Sequence, residues 1–240
     1  MYIHQENNLT IIWGGKLQSI APQQFYAVND QATLLATEPF SLVQAYGAQQ
    51  ILTVRQTHSA RGYAYKNLAQ VTVAKPYEHE GDYLITSVTG TALVVASADC
   101  LPLVMYDPVN GVVTNIHAGW RGAVAGIAAC ALQQMCDEFN TARIDVQIFF
   151  GPVARACCYE VDATFVQALS EEARTAVYER AGKYYFDLVV YHQHIFKMLG
   201  VAESSLHVDK AVCTICSDEF CSARRDKGNA RRNVTMVCLR

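Results

Sequence analysis

The sequence predicts a mixed α/β fold of the α+β sandwich kind, a single domain over residues 1–240 with a mixed sheet and flanking helices. Three observations predict it. Short apolar runs rich in β-branched residues follow one another between residues 82 and 117, and longer stretches with helical spacing come after them. No Pro/Gly/Ser-rich linker, charge block or repeat divides the 240 residues, which are enough for one sizeable core. Strands in hairpin-like succession beside long helices argue against a purely parallel sheet.

Each element has its own signal. Residues 9–13 and 51–57 read as strands, with a helix around 39–46 between them. Four short strands follow at 82–86, 93–97, 103–106 and 112–117, the last two joined by the turn formers Asp107-Pro108-Val109-Asn110-Gly111. From Trp120 the composition changes to Ala, Leu and Met with a stripe at Val124, Ala128, Ala131 and Met135, which predicts one helix over 120–139. A strand over 144–150, helices over 163–180 and 188–199, and a final strand over 234–239 complete the order.

Composition narrows the function classes. A formal charge of −3 gives no electrostatic reason to expect nucleic acid or an anionic membrane as partner. No apolar stretch approaches the roughly 20 residues of a membrane span, and the start Met1-Tyr2-Ile3-His4 lacks a basic segment ahead of an apolar one, so a cytoplasmic protein is expected. The sequence is silent on self-association. The nine cysteines are an odd number in a long chain, and reduced thiols are the expectation. Cys130 and Cys136 read as small packed residues of the long helix. Cys213-Thr214-Ile215-Cys216 looks like half of a zinc ribbon, but the second C-x-x-C is missing, and Cys157-Cys158 read as wall.

The strongest chemical signal lies in His58, Cys100 and His117. Cys100 and His117 end two successive apolar runs, and polar residues at the ends of buried strands meet at a sheet rim, where α/β folds usually place ligands. Two imidazoles and a thiolate would make a three-ligand metal site with an open position. The structural alternative is a pair of histidines bonded to backbone. A helix starting near Gly119 would aim free N–H groups at the same rim and attract an anion such as phosphate, with Arg121 adding a bidentate contact. Trp120 would stack on a base or pack under the helix.

Gln56-Thr57-His58-Ser59, Gly81-Asp82-Tyr83-Leu84-Ile85-Thr86, Ala98-Asp99-Cys100-Leu101-Pro102, His117-Ala118-Gly119-Trp120-Arg121-Gly122, Gly151-Pro152 and Cys157-Cys158-Tyr159-Glu160-Val161 occur in that order, followed by Asp209, Cys213-Thr214 and Phe220 to Asp226. In these runs the chain resembles the laccase-domain (YfiH-like) polyphenol oxidase family, described as purine nucleoside phosphorylases with adenosine deaminase activity. The resemblance implies the family's sandwich fold and zinc held by His58, Cys100 and His117, with copper as the alternative ion. It also implies purine nucleosides (adenosine, inosine, guanosine, methylthioadenosine) and phosphate as substrates. Asp99, Asp82 and Glu160 are then the candidates for moving protons, the alternative for Asp99 being a structural role in the turn beside Cys100, since in an extended strand it would point away from that ligand. Arg121, Arg224 and Arg231 are candidates for holding phosphate. The chain departs from the family's pattern at Trp13-Gly14-Gly15-Lys16, between Asn29 and Pro39, at Ala223, and at Ala230-Arg231.

Two rival chemistries use the same residues. A copper oxidase of phenols needs many histidines, typically in His-x-His pairs, and seven histidines with only His192-Gln193-His194 in that form do not supply them. A metal-free cysteine hydrolase or amidase would use Cys100 as nucleophile and His117 as base.

Overall fold

A computed structural model describes residues 1–28, 30–227 and 231–240; Asn29 and Ala230, two of the departures noted above, lie outside them. Strands β1 (Tyr2–Glu6), β2 (Leu9–Trp13), β3 (Gln50–Thr53), β4 (Gly62–Tyr65), β5 (Tyr83–Thr86), β6 (Thr91–Ser97) and β7 (Leu101–Asp107) are followed by β8 (Val112–Ala118), β9 (Gln147–Phe150), β10 (Glu160–Val161), β11 (Val177–Arg180), β12 (Lys183–Phe186), β13 (Leu206–His207) and β14 (Asn233–Leu239). Five of them form one sheet in the order β1-β2-β14-β6-β3, six form a second in the order β13-β9-β7-β8-β5-β4, and β10-β12-β11 form a small third. Both large sheets are mixed, as the succession of short strands predicts. β3–β6, β4–β5 and β9–β13 pair parallel, and the other neighbours pair antiparallel.

The two large sheets pack face to face because their strands alternate apolar side chains inward and outward. Ile11, Trp13, Leu93 and Val237 of the first sheet meet Leu84, Val104, Val113 and Phe149 of the second. Asn115 crosses this apolar layer, its amide donating to the carbonyls of Leu93 and Thr235 at 2.9 and 3.0 Å. Such a tie between β8 and two strands of the opposite sheet fixes their register, because sliding would strand a buried amide. The helices Ile127–Phe139 and Leu188–Met198 cover the outer face of the second sheet, and short helical turns between residues 22 and 46 cover that of the first.

Three expectations fail, two for local reasons and one through sheet pairing. The helix predicted over 120–139 is two helices, Trp120–Val124 and Ile127–Phe139, because Gly126 takes a φ of +84° between them. Val124 therefore leaves the apolar stripe and is exposed, as is Cys130. The helix predicted over 163–180 is instead two short helices, because the backbone turns extended at Leu169 and Ser170 and each helix starts at its own side-chain cap. Asp162 and Ser170 start Ala163–Ala168 and Glu171–Arg174, and the chain then turns into the β11–β12 hairpin through Ala181 and Gly182, both at positive φ. The two apolar runs leading to Cys100 and His117 belong to opposite sheets, since β6 pairs with β14 and β3 while β8 pairs with β5 and β7. No helix of the described residues is long and apolar enough to cross a membrane.

His192, inside the helix Leu188–Met198, is fully buried among apolar side chains. Its Nδ1–H donates to the Leu188 carbonyl at 2.7 Å, and burial brings its pKa down to about 4. The unfolded chain, with an ordinary histidine, then binds the extra proton between pH 6.5 and 4, so stability falls as pH drops through that window, by on the order of 3 kcal/mol. Denaturant titrations of wild type and His192→Met at pH 7 and pH 4.5 check this; the variant should lose much less stability on acidification.

Candidate metal centre

The centre is built where the chain passes from one sheet to the other. Residues 54–61 carry it from β3 to β4, and residues 98–100 carry it from β6 to β7. His58 sits in the first crossing with a φ of +59°, so the backbone curls and three successive N–H groups point the same way. They converge on the carboxylate of Asp82. The Thr57 N–H donates at 3.2 Å, the His58 N–H at 3.0 Å and the Ser59 N–H at 2.6 Å, and the Ser59 hydroxyl donates at 2.8 Å. Asp82 is completely buried just before β5. Its carbonyl also accepts from the His117 N–H at 2.7 Å.

His117 on β8 completes the arrangement. Its Nδ1–H donates to Asp82 Oδ1 at 2.9 Å, which leaves Nε2 for the centre. Cys100 follows Asp99, itself at a φ of +88°, and pairing of Pro102 with His117 brings the thiol beside the imidazole. The Cys100 Sγ lies 3.8 Å from His58 Nε2, and the two imidazole rings sit edge to face with centroids 4.8 Å apart. One ligand atom from each of the three residues lies within 4.8 Å of the others.

Charge follows from this packing. Burial alone would push the Cys100 thiol up, but the neighbouring His117 and His58 outweigh it and hold the thiol at about 6. Burial would push His117 down, but the Cys100 thiolate and the Asp82 carboxylate bring it up to about 9. Burial would raise Asp82, and the His117 and Ser59 donors bring it down to about 2. A thiolate and two imidazoles facing one point, with a buried carboxylate orienting one ring, fit a borderline-soft divalent ion with one coordination position left open. Gly119 leaves the room. A Cβ there would lie 2.7 Å from His58 Cδ2 and 3.0 Å from Cys100 Sγ.

The centre forms part of the wall of a cavity of about 570 Å³. Tyr26, Phe25, Trp120 and Tyr159 supply aromatic surface, and Arg224 and Arg232 supply positive charge. Arg224 is held by a bond from its guanidinium to the Glu160 carbonyl at 2.8 Å and by stacking over the Tyr159 ring at 4.9 Å. Trp120 lines the cavity and also packs edge to face against Phe165.

Other candidates fall elsewhere. Asp99 lines the cavity, but its carboxylate is engaged: one oxygen accepts from the Thr214 hydroxyl at 2.7 Å and the other from the Arg224 N–H at 2.8 Å. It acts as a clasp drawing the C-terminal segment onto the Cys100 turn. Glu160 pairs with Lys183 at 3.0 Å on the surface. Arg121 is exposed outside the lining, its guanidinium 4.5 Å from the Trp120 ring centroid, and its charge still reaches Tyr159. Arg231 is not in the lining either; its guanidinium donates to the Ser19 hydroxyl and carbonyl, and the next residue, Arg232, lines the cavity. Sequence reasoning missed Arg232, Tyr26 and Gln56. Gln56 forms a two-way bond with the Ala96 backbone, 2.8 Å in each direction, and its place in the Gln56-Thr57-His58-Ser59 run was the signal that could have found it.

Residues 24–240 match the family model described as multi-copper polyphenol oxidoreductase laccase. The chain belongs to this laccase-like family. A purine nucleoside phosphorylase of Bacteroides thetaiotaomicron is 34% identical over 152 residues, which is 61% of this chain and 56% of that protein, so the chain spans little more than half the length of this relative. A protein named adenosine deaminase RL5, from an unknown prokaryotic organism, is 30% identical over 222 residues, 88% of this chain and 84% of that one. The crystal structure of the Bacillus licheniformis hypothetical protein YfiH superposes with a TM-score of 0.79 at 23% identity, covering 97% of this chain and 93% of that one, so the two share the same mixed α/β fold. Despite the family's name, the His/Cys/Asp/Glu groupings found among the described residues are the His58–Cys100–His117 centre and a set of four cysteines, with no histidine-rich cluster for several coppers.

Gly119→Ala tests whether close approach at the centre matters. The added methyl displaces His58 or Cys100, and zinc affinity, measured by competition with a chromogenic chelator, should fall by at least about tenfold while the circular dichroism spectrum stays that of the wild type.

Proposed function

We propose that this chain, acting as one domain over residues 1–240, is a zinc-dependent purine nucleoside phosphorylase that also deaminates adenosine. The observation that carries the reading is the junction of the three-ligand centre with an aromatic cavity containing two arginines. Its volume of about 570 Å³ lies within the range of small-molecule sites, about 300–1,000 Å³. The relatives named for purine nucleosides support the substrate class.

His58, Cys100 and His117 would hold the ion, with Asp82 fixing the His117 tautomer. Zinc bound there supplies Lewis acidity and an activated water at neutral pH, with copper the alternative ion. Tyr26, Phe25 and Trp120 offer ring faces to a purine. Arg224 and Arg232 offer positive charge to phosphate, which must be held against C1′ of the ribose while the base departs. Arg121 adds charge near Tyr159, and Asp99 positions Arg224 through its backbone bond.

One observation favours a second reading. Without metal, the lowered Cys100 thiol, the raised His117 imidazole and the buried Asp82 form the thiolate–imidazolium–carboxylate series of a cysteine hydrolase.

Product analysis separates the two. Adenosine and phosphate incubated with purified protein should yield adenine and ribose 1-phosphate, with inosine as the deamination product, and a zinc chelator should abolish both. No product in either tube, together with rapid alkylation of Cys100, would favour the hydrolase. Arg224→Ala should keep its zinc while the KM for phosphate rises about tenfold or more, because one charge-assisted contact is lost.

A further inference from the structure

A second group of ligand-type residues lies on the far side of the Asp99 clasp. Cys157, Cys158, Cys213 and Cys216 come from segments more than fifty positions apart, yet their four sulfur atoms all lie within 4.8 Å of one another. We propose that these four cysteines form a tetrathiolate zinc site that joins the Cys157–Cys158 loop to the Cys213–Cys216 turn and so fixes one wall of the cavity.

Geometry carries the assignment. Sulfurs bound at about 2.3 Å to one tetrahedral ion stand about 3.8 Å apart. Cys157 Sγ and Cys216 Sγ are 3.8 Å apart. A disulfide would bring two of them to about 2.0 Å, whereas all four thiols are free. A multi-iron core would push the sulfurs farther from one another than a single ion does. Four thiolates leave no open position, the signature of a structural ion rather than a catalytic one.

The loops that present the sulfurs are already braced. A parallel bridge joins Val153 to Cys213, with the Val153 N–H donating to Val212 and the Thr214 N–H donating to Val153, both at 3.0 Å. One Arg225 nitrogen donates to the carbonyls of Thr214, Ile215 and Ser217, which closes the turn between Cys213 and Cys216. Arg180 donates to the carbonyls of Ala156 and Cys157.

The position of the ion gives it a role. Tyr159 follows Cys158 and lines the cavity, while Thr214, inside the C-x-x-C turn, donates its hydroxyl to Asp99 beside Cys100. A single ion at the sulfurs ties both to one point. This role holds whichever chemistry the first centre performs.

Zinc content and zinc-edge X-ray absorption of the Cys100→Ser protein, purified in reductant with excess zinc, test the site free of the first centre. The expected result is one tightly held zinc per chain with four sulfur neighbours at about 2.3 Å and no histidine nitrogen. Adding Cys216→Ala should remove that zinc, and adding Cys216→His should keep it with three sulfurs and one nitrogen, which covers the case in which the alanine variant fails to fold. A zinc-free Cys100→Ser protein overturns the proposal, as do four thiols that react freely with a thiol reagent in the presence of zinc, or zinc retained in full by a folded Cys216→Ala variant.

Discussion

The Asp82 carboxylate is the point on which the rest of the centre depends. It is wholly buried, and its cost of burial is offset because it accepts from the N–H groups of Thr57, His58 and Ser59, from the Ser59 hydroxyl and from the His117 ring. Those donors come from the crossing after β3 and from β8, so one charge ties together segments of both large sheets. The same contacts curl His58 toward Cys100 and fix which nitrogen of His117 faces the centre. An uncharged side chain at this position would leave several buried donors competing for one acceptor.

A parallel device works on the opposite side of Cys100. Asp99 spends both carboxylate oxygens on the C-terminal segment, holding Thr214 and the start of the turn that carries Arg224. Two buried acids flank the centre: Asp82 orders the ligands, and Asp99 orders the cavity wall that faces them. Cys157, Cys158, Cys213 and Cys216 extend that second brace, because Thr214 belongs to it and Tyr159 adjoins it. The cavity is therefore held by ties between distant parts of the chain rather than by one rigid element.

These long-range ties explain how much could be read from the residues alone. The mixed sheets and the strands around 93–117 are visible because local apolar runs and turn formers mark them, whereas the runs ending at Cys100 and His117 lie in opposite sheets, a placement those runs do not reveal. The break at Gly126 and the turn at Ala181 and Gly182 depend on backbone conformations that a stripe of Ala, Leu and Met conceals. Arg232 rather than Arg231 lining the cavity is a one-residue difference in strand direction, set by the bridge of Arg232 to Ile20. The four cysteines look like half a motif plus a wall because the missing partners lie in a segment folded back from about 56 positions away, and linear spacing carries no trace of that contact.

The buried Asp82 charge preorganises the His58–Cys100–His117 centre for a metal ion. The most direct measurement is the zinc affinity of Asp82→Asn, counting only the binding that Cys100→Ser abolishes. A loss of about 10- to 100-fold is expected in a protein that remains folded, because the His117 tautomer and the His58 loop are no longer fixed. Wild-type affinity in a folded Asp82→Asn protein would contradict it.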